Sequence, residues 1–485
     1  MNASDVARRF ERRHGYDLID YAEVALPLYR LTVDAITIVH HGIPPIKEFV
    51  MRCVALGLAS AQEVGGFLGI DATIAAATLN QLRTERYITS DEEGSVGLTS
   101  RGREVLDKAM ESAPQDEMLV FLYDRLLLKP VKLPPEQLLV PANIDAKKVI
   151  EIRPYPAEGP EIEQVALPDV LQVLAQQAGG RDVLGRDLLR LKRIVRRVRL
   201  YRLGVALVYK KYRSSEIQIA FIVDEARNEA LEHAFAERGG PKKMGFLKAI
   251  DESAALSDLR RYLGPDILKK VAEQESLEEK RLAVSLARIK HQAALTKAER
   301  KAAVDPSGDT ADREAVALAA QTLADAEAEL VGFAARPVAP FEIAEFLEAA
   351  FERCESQLFA SSRVVDRSVV DSSFMKRLEK LLSRGVRVRF TLREPPKPES
   401  PVIELERLNK RYANLQITTG GRGSQFHHLV CDDKFALISN RPMLGNLGKV
   451  RSFTHVVGYV LQQPELVLDF TRRLDGAVGR EEQSE

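Results

Sequence analysis

The sequence predicts a multidomain α+β protein, and three features of the chain lead to that fold class. Its 485 residues exceed what one hydrophobic core usually holds, so several domains are expected. Helical and strand-like segments alternate from Pro340 to Phe470, which is typical of a layered α/β/α domain. Between Ala254 and Ala334 the composition shifts to Ala, Glu, Lys, Leu and Arg. This stretch predicts an antiparallel hairpin of two long helices around a tight turn at Asp305–Asp309.

The overall composition is that of an ordinary globular protein. Hydrophobic residues make up 45% and charged residues 29% of the chain, and the formal net charge is zero. No apolar run approaches the ~20 residues that a membrane span needs, and the amino terminus lacks the apolar core of a signal peptide. The sequence therefore predicts a cytoplasmic protein with no membrane partner.

The cysteines and histidines do not form a metal-binding pattern. Cys53, Cys354 and Cys431 lie far apart in apolar contexts without a C-x-x-C spacing, which predicts buried free thiols. The adjacent histidines at 40–41 and at 427–428 point in different directions on a helix or strand. No metal and no other cofactor is expected.

A segment near the amino terminus carries the signals of a helix-turn-helix with a wing. Ser60 and Glu63 form an S-x-x-E capping box that begins a short second helix, and Asp71 caps a third helix. The next stretch alternates like a two-stranded wing that turns at Glu93–Gly94, and Thr99 caps a closing helix. This order resembles MarR-type and related winged-helix modules.

In such a module the exposed side of the third helix enters the major groove of DNA. We expect Ile74, Leu79 and Leu82 to form its buried side. The expected reading face consists of Thr73, Ala76, Asn80, Gln81, Arg83 and Thr84. That face carries little charge, and the three acids at 91–93 on the wing tip would repel a phosphate backbone. DNA contact therefore stands beside protein docking or dimerisation as an open alternative.

A strongly basic segment between Arg186 and Arg213 contains eleven Lys or Arg residues and one acid. Such a stripe is the electrostatic footprint of a phosphate backbone contact. Apolar residues from Leu188 to Val198 recur at roughly helical spacing, which predicts a basic helix. The residues expected to contact DNA are Arg190, Arg193, Arg196, Arg197, Arg199, Lys210 and Lys211. The open alternative is a solvated helix face that pairs with acidic residues of the helical hairpin.

The stretch Ser424–Asn446, SQFHHLVCDDKFALISNRPMLGN, carries a family signal. It resembles the phospholipase D family, whose motif is H-x-K, four residues and D, followed by a small-residue turn of the G-S-x-N type. With the family Asp placed on Asp432, Gln425 lies at the nucleophilic His and His427 at the Lys. Ser439, Asn440 and Pro442 then replace the Gly, Ser and Asn of the turn. The order of elements from 340 to 470 matches a single half-domain of this family.

The resemblance implies a chemistry that this chain has lost in part. In the family, two imidazoles from two half-sites attack and protonate a phosphodiester. The amide of Gln425 cannot form a phosphohistidine, and His428 faces the other side of the strand from residues 425 and 427. A degenerate, non-catalytic site is therefore expected, with His427 and Asp432 as the catalytic residues if activity is retained. The expected neighbours are Gln425, His428, Lys434, Ser439, Asn440 and Arg441.

A single half-domain normally needs a second one to complete its cleft, and the chain contains one copy of the motif. An isologous homodimer is therefore expected. Its groove would present His427, Asp432, Lys434, Asn440 and Arg441 twice.

These features divide the chain into six predicted parts. They are a helical segment at 1–42, a winged helix-turn-helix at 43–112, a mixed α/β domain with the basic helix at 113–253, the helical hairpin at 254–335, a phospholipase D-like domain at 336–476 and a disordered tail at 477–485.

The leading functional hypothesis is a DNA-associated binding or scaffold protein with a degenerate phospholipase D-like domain. The resemblance implies a regulatory or targeting subunit of a bacterial defence or DNA-processing system, with a helicase or nuclease as partner. One alternative is an active, metal-independent phosphodiesterase or nuclease that uses His427. Another is a winged-helix transcriptional regulator whose carboxyl-terminal domain senses a ligand.

Overall fold

The protein has a mixed α+β fold. The computed structural model describes residues 3–58, 60–90, 96–108, 110–147, 149–177, 186–252, 256–304, 310–367, 369–393, 401–419, 425–445 and 452–481. Within these ranges, no helix is both long enough and apolar enough to cross a membrane.

The helices cover the following residues in chain order. They are α1 (Ala3–Arg9), α2 (Pro45–Ala55), α3 (Ala61–Leu68), α4 (Ala72–Thr84), α5 (Ser100–Lys108), α6 (Pro141–Lys147), α7 (Leu167–Gln177), α8 (Glu229–Glu237), α9 (Gly240–Lys243), α10 (Phe246–Glu252), α11 (Leu256–Leu263), α12 (Pro265–Leu268), α13 (Gln274–Val304), α14 (Thr310–Val331), α15 (Glu342–Arg353), α16 (Ser372–Ser383), α17 (Val402–Arg411) and α18 (Pro464–Glu481).

The strands are β1 (Tyr16–Gly42), β2 (Ile88–Ser90), β3 (Val96–Leu98), β4 (Met110–Asp124), β5 (Lys129–Val131), β6 (Leu138–Leu139), β7 (Ile150–Glu151), β8 (Arg186–Lys211), β9 (Ile217–Val223), β10 (Ala226–Arg227), β11 (Ala335–Pro337), β12 (Gln357–Ser362), β13 (Arg387–Leu392), β14 (Leu415–Thr419), β15 (His427–Cys431), β16 (Phe435–Ser439) and β17 (Gly458–Leu461).

The chain forms two compact units. Unit 1 comprises Met1–Leu26, Ala142–Tyr155 and Arg202–Glu485, and unit 2 comprises Pro27–Pro141 and Pro156–Tyr201. Two of the boundaries fall within the long strands β1 and β8.

Unit 2 contains an antiparallel sheet in which β1 pairs with β4 from Leu28 to Gly42, and β4 pairs with β5. Every second residue of a strand lies on the same face. Alternate residues of β1, such as Leu31 and Val33, therefore share one buried cluster with Val170 and Val173 of α7. This packing covers one face of the sheet.

A second core of unit 2 lies among α2, α3, α4 and the hairpin of β2 and β3. The predicted capping box at the start of α3 is confirmed, because the Ser60 hydroxyl accepts the Glu63 amide and the Glu63 carboxylate accepts the Ser60 amide. The predicted caps at Asp71 and Thr99 are also confirmed, since each side chain accepts a backbone amide of the helix that follows.

One side chain of α4 lies where it was not expected. Ile74 is 47% exposed, so its assignment to the buried side was wrong. The helix packs through Ala75, Thr78, Leu79 and Leu82 instead. The acids at 91–93 and the turn at Glu93–Gly94 lie outside the described residues.

The segment 1–42 is largely extended, which corrects the expected helical segment. Helix α1 ends at Arg9, and β1 then runs from Tyr16 to Gly42. Pro27 would break a helix in this segment, whereas the Val, Ile, Thr and Tyr residues around it favour a strand.

The basic segment is a strand, β8, so the predicted basic helix was wrong. Its apolar positions include many β-branched side chains, and most residues from Leu200 to Tyr209 are buried. In unit 1, the segment from Val205 to Lys210 pairs antiparallel with β9, a largely buried strand of sequence IQIAFIV. The spacing of apolar residues in a short run does not by itself distinguish a helix from a strand. Here the pairing of β8 with β9 makes the segment a strand.

Unit 1 contains a sheet with the order β11-β17-β16-β15-β12-β13-β14. The strands β12, β13 and β14 are parallel, whereas β15 runs antiparallel to β12. Helices and strands alternate along this segment, as the sequence predicted. Gly385, at φ 85°, lies just beyond α16, where a glycine in the left-handed conformation ends a helix.

Helices cover both faces of this sheet. Residues Leu429 and Leu437 lie in one core with α15, α16 and α17. Val430 and Ile438, one residue further along each strand, lie in a second core with α11, α12 and α18. The two-residue period of a strand explains this division.

The predicted antiparallel helical hairpin is confirmed for α13 and α14, whereas residues 256–268 of the predicted range form the separate short helices α11 and α12. The ion pairs Lys280–Glu329, Arg288–Glu327 and Lys297–Asp312 join the two helices in opposite directions along the chain. The predicted turn at Asp305–Asp309 lies outside the described residues. At the carboxyl end, α18 continues to Glu481, so residues 477–481 are helical rather than part of a disordered tail.

Candidate functional site

The carboxyl ends of parallel strands β12 and β13 meet at one edge of the unit 1 sheet. Arg363 directly follows β12, and Arg393 directly follows β13. Because β15 is antiparallel to β12, its first residue, His427, lies at the same edge. In open α/β sheets, ligands bind at the carboxyl ends of strands. We refer to Arg363, Arg393, Gln425, His427, His428 and Tyr262 as the edge cluster.

Two guanidinium groups dominate the charge of the edge cluster. Arg393 is half-buried, and its Nη2 atom donates to the carbonyl of Phe426 over 2.8 Å. Burial lowers the pKa of Arg393, and the like charge of the exposed Arg363 lowers it further. An anion placed next to both groups would relieve this repulsion and accept charge-assisted hydrogen bonds.

His427 lies at this edge but is enclosed. It is 2% exposed, and its Nδ1 atom has no hydrogen-bond partner among the described residues. Burial is the main reason why the pKa of His427 falls to about 3, and the neighbouring charges of Arg393, His428 and Arg363 add to it. The imidazole is therefore neutral at pH 7 and does not reach a substrate in this arrangement.

His428 points to the opposite face of β15, as the strand period predicted. Its Nδ1 atom lies 3.0 Å from Ser361 Oγ, and its Nε2 atom lies 3.0 Å from the hydroxyl of Tyr262 on α11. Burial and then the charge of Arg393 lower the pKa of His428 to about 3. Both ring nitrogens are engaged, so His428 does not replace the missing nucleophile.

Gln425 is the residue that the sequence comparison aligned with the nucleophilic His of the phospholipase D motif. Its exposed side-chain amide donates to Asp258 of α11 over 3.1 Å. An amide in this position binds and orients but does not attack phosphorus.

Asp432 lies at the far end of β15 from His427, about 17 Å away on a strand that rises about 3.3 Å per residue. Its carboxylate accepts the backbone amides of Glu355, Ser356 and Gln357 and the hydroxyl of Ser356, at 2.7–2.9 Å. Burial alone would raise the pKa of Asp432, but these hydrogen bonds lower it to about 2. The acid therefore holds the start of β12, and the structure does not bring it together with His427.

Lys434 is also remote from the edge cluster. Its Nζ atom donates to the carbonyl of Arg353 and to the carboxylate of Glu355, at the same end of the sheet as Asp432. Within one copy of the domain, Asp432 and Lys434 therefore lie at the opposite end of β15 from His427.

The turn after β16 is close to the edge, but its side chains make internal contacts. Ser439 donates to the carbonyl of Val457, and Asn440 donates to the carbonyl of His455. Arg441 forms an ion pair with the buried Asp20 over 3.4 Å. These residues hold the segment before β17 in place, so the structure does not place Arg441 in a substrate groove.

The structure brings two cysteines together that the sequence left apart. Ligand atoms of Cys354, Cys431 and Asp432 lie within 4.8 Å of one another, and all three residues are buried. The Asp432 oxygens, however, already accept the hydrogen bonds that hold β12. A cation at this position would have to displace them, so the group fits a structural role better than a metal site.

In unit 2, the expected reading face of α4 is largely exposed. Thr73, Asn80, Gln81, Arg83 and Thr84 are all exposed, whereas Ala76 is half-buried. Several of these groups are bound locally, since the Thr73 hydroxyl donates to Asp71, Thr84 donates to the carbonyl of Asn80 and Gln81 donates to Glu85.

The basic residues of β8 divide into paired and unpaired groups. Arg193 contacts Asp34 and Arg197 donates to the carbonyl of Pro160. In unit 1, Lys211 pairs with Glu216, and Lys210 is half-buried. Three exposed arginines of unit 2 have no ion-pair partner in the described part of the chain, and they are Arg190, Arg196 and Arg199.

Sequence reasoning missed the residues that define the edge cluster. Arg363, Arg393 and Tyr262 lie outside the family motif, and Tyr262 belongs to a segment that was assigned to the helical hairpin. A usable signal was present, because Arg363 directly follows the run LFASS and Arg393 directly follows the run VRVRFTL. The pairing of those strands, which brings the two arginines to one edge, was not visible in the sequence.

No protein-family model matches the chain, and no curated protein matches it either. Among solved structures, the archaeal chromatin protein TrmBL2, described as showing a novel mode of DNA binding, is 14% identical with a TM-score of 0.23. That likeness covers 35% of this chain and 62% of TrmBL2. The phosphatidylserine synthase of Haemophilus influenzae Rd KW20 is 12% identical with a TM-score of 0.20, over 33% of this chain and 45% of the synthase. The chain thus spans less than two thirds of either structure.

Proposed function

We propose that the protein is a DNA-associated binding protein whose carboxyl-terminal domain holds a phosphodiester without cleaving it through the imidazole chemistry of the phospholipase D family. The observation that carries this proposal is the pair of guanidinium groups, Arg363 and Arg393, at the carboxyl ends of two adjacent parallel strands. Paired arginines suit the oxygens of a phosphate group.

Among the described residues, the same edge offers no accessible imidazole for phosphohistidine chemistry. Gln425 replaces the nucleophile, His427 is almost fully buried, and His428 is bonded at both ring nitrogens. Phosphodiester hydrolysis by this family requires two imidazoles that touch the substrate. The geometry therefore favours binding over the alternative of a nuclease that uses His427.

Unit 2 supplies a second surface for nucleic acid. The order of α2, α3, α4 and the β2–β3 hairpin resembles that expected for a winged helix-turn-helix and supports this proposal, and the expected reading face of α4 is largely exposed. The exposed Arg190, Arg196 and Arg199 add positive charge that the described residues do not neutralise. We propose that this unit provides sequence-independent contact with the phosphate backbone.

The proposal extends to assembly. A homodimer would supply a second copy of the edge cluster, and a helicase or nuclease partner would supply the missing catalysis. In that role the protein is a regulatory or targeting subunit of a bacterial defence or DNA-processing system. Analytical ultracentrifugation of the full chain measures whether it forms the dimer.

The double substitution Arg363→Gln/Arg393→Gln is expected to weaken DNA binding by at least about tenfold, because hydrogen bonds to charged groups contribute about 1.5–3 kcal/mol each. The slope of log affinity against log salt concentration should also fall, by the amount that about one phosphate contact contributes. Fluorescence anisotropy with labelled single- and double-stranded oligonucleotides, at several salt concentrations and in EDTA, measures both quantities. Gels run in parallel measure cleavage.

The matched control is Arg367→Gln/Arg411→Gln, which removes two exposed arginines of unit 1 that pair with Glu404 and Glu379. This control should bind as the wild type does. Equal losses in the two double variants would refute a specific site at the edge cluster. Cleavage in EDTA that disappears in His427→Ala would replace the proposed function by the nuclease alternative.

The double variant Arg196→Gln/Arg199→Gln removes two of the unpaired arginines of β8 and is expected to reduce non-specific DNA affinity. The slope of log affinity against log salt concentration should fall by the amount that about two phosphate contacts contribute. The control on the same strand is Lys192→Gln/Arg193→Gln, since Lys192 pairs with Asp116 and Arg193 pairs with Asp34. A smaller effect is expected there. If neither variant changes the salt dependence, unit 2 does not contact DNA through β8, and protein docking becomes the better account of its exposed surface.

A further inference from the structure

Hydrogen bonds link the buried Ser361 to two members of the edge cluster, His428 and Tyr262, and we call these three side chains the hydrogen-bond chain. Ser361 Oγ lies 3.0 Å from His428 Nδ1, and His428 Nε2 lies 3.0 Å from the hydroxyl of Tyr262. Ser361 and His428 are buried, whereas Tyr262 is half-buried and its ring packs beside those of His428, Phe426 and Phe470. The proposed function uses these two hydrogen bonds only to argue that His428 is not a nucleophile, and it assigns no role to Ser361 or Tyr262.

The other hydrogen bonds of Ser361 determine whether its hydroxyl donates to His428 Nδ1 or accepts from it. Its oxygen already accepts the backbone amide of His428 over 2.8 Å. Among the described residues, the one acceptor within reach of the serine hydrogen is His428 Nδ1. If Nδ1 carried a proton instead, the buried serine hydrogen would have no acceptor, which costs about as much as a lost buried hydrogen bond. The Ser361 hydroxyl therefore donates to Nδ1.

Because Ser361 donates to Nδ1, the position of the imidazole proton follows, and it decides whether Tyr262 donates or accepts. A neutral imidazole whose Nδ1 atom accepts carries its proton on Nε2. The Nε2 proton is then donated to the oxygen of Tyr262. The tyrosine hydrogen consequently finds no acceptor in the described part of the chain and remains available for a ligand.

Tyr262 is also close to the anion-binding arginines. Arg393 Nη2 donates to the carbonyl of Phe426 over 2.8 Å, and the ring of Tyr262 packs against the ring of the same Phe426 with centroids 5.5 Å apart. Burial raises the pKa of Tyr262, and the nearby charge of Arg393 opposes this effect. A half-buried phenol beside two guanidinium groups is a neutral donor in a cationic site. Such a donor adds direction to a contact whose attraction comes mainly from charge.

We infer that Tyr262 is a ligand-binding residue that donates its hydroxyl hydrogen to a non-bridging oxygen of a nucleic-acid phosphodiester held by Arg363 and Arg393. Ser361 and His428 act as positioning residues that keep this hydrogen directed outwards. The inference rests on the proposed function, because it specifies how the same site recognises phosphate.

The test compares variants of the full chain in oligonucleotide binding at several salt concentrations. Tyr262→Phe removes one oxygen atom and keeps the ring in place. It should weaken binding about tenfold without changing the salt dependence, because no charge is lost. Arg363→Gln/Arg393→Gln should both weaken binding and flatten the salt dependence. Tyr412→Phe is the control, since its hydroxyl contacts Glu379 away from the edge cluster.

Ser361→Ala tests the positioning role separately from contact. Without the serine donor, His428 is expected to carry its proton on Nδ1 and to accept the tyrosine hydrogen at Nε2, which withdraws that hydrogen from the ligand. Ser361→Ala should then weaken binding nearly as much as Tyr262→Phe, and the double variant should be no weaker than Tyr262→Phe alone. Nitrogen-15 NMR of the His428 ring, assigned with His428→Gln, should show the Nε2–H tautomer in the wild type and the Nδ1–H tautomer in Ser361→Ala.

The outcomes separate this inference from the function on which it rests. If Tyr262→Phe binds as tightly as the wild type while the arginine variant is weakened, the tyrosine contact is disproved and the phosphate site stands. If neither variant is weakened, both proposals fail. An Nδ1–H tautomer in the wild-type protein would overturn the inferred direction of the chain even if Tyr262→Phe weakens binding.

Discussion

Replacement of Glu342 by Gln is expected to destabilise unit 1 by about 3–5 kcal/mol, because it leaves a buried positive charge without its partner. Glu342 is 8% exposed and Arg336 is 3% exposed. The Glu342 carboxylate contacts Arg336 at 2.9 Å, Arg281 of α13 at 3.2 Å and the backbone amide of Ala339 at 2.6 Å. The substitution removes the charge that these donors require.

The pH dependence of stability provides an independent check on Glu342. Burial alone would raise the pKa of Glu342, but Arg336 and Arg281 lower it to about 2, below its ordinary value of 4.5. Because the folded pKa lies below the unfolded one, the stabilisation is fully present above about pH 4.5 and is lost as the pH falls towards 2. The Glu342→Gln variant should therefore lack this part of the acid sensitivity.

Urea unfolding followed by far-ultraviolet circular dichroism measures the effect, since the chain contains no tryptophan. Glu348→Gln is the control on the same helix, because Glu348 is 59% exposed and pairs with Arg377 at the surface. Its cost should not exceed about 1 kcal/mol. Similar unfolding midpoints for the two variants would contradict the buried role of Glu342.

Replacement of Asp432 by Asn is expected to cost about 2–4 kcal/mol of stability, because the hydrogen bonds of a buried carboxylate are replaced by an amide that accepts at one atom only. The amide nitrogen of Asn would face a backbone donor at the start of β12. Asp432 adopts a left-handed conformation with φ 49°, which Asn tolerates well. The substitution therefore isolates the loss of hydrogen bonds from backbone strain.

Asp433→Asn supplies the matched control, since it changes the adjacent acid, which is exposed, in the same way. Thermal unfolding and oligonucleotide binding should be measured for both variants. We expect Asp432→Asn to unfold at a lower temperature but to bind with wild-type affinity below that temperature. A loss of binding without a loss of stability would restore Asp432 to the functional site.

The sequence by itself determined much of the local structure. Caps at Ser60, Asp71 and Thr99 depend on side chains next to the amides that they bind, so local sequence suffices to identify them. The long helices α13 and α14 and the alternating order of the carboxyl-terminal domain follow from composition and period. The opposite orientation of His427 and His428 follows from the two-residue period of a strand.

Tertiary structure decided what local patterns leave ambiguous. Segment 186–211 has apolar spacing that suits a helix, but the pairing of β8 with β9 makes it a strand. Strand pairing also brought Arg363 and Arg393 together, and helix packing placed Tyr262 against His428. Asp432 is the acid that the sequence comparison aligned with the motif, yet its carboxylate accepts the backbone amides of residues 355–357, more than seventy positions earlier in the chain. Local patterns report on a residue's neighbours in sequence, whereas a binding site is assembled from residues that become neighbours when sheets pair and helices pack.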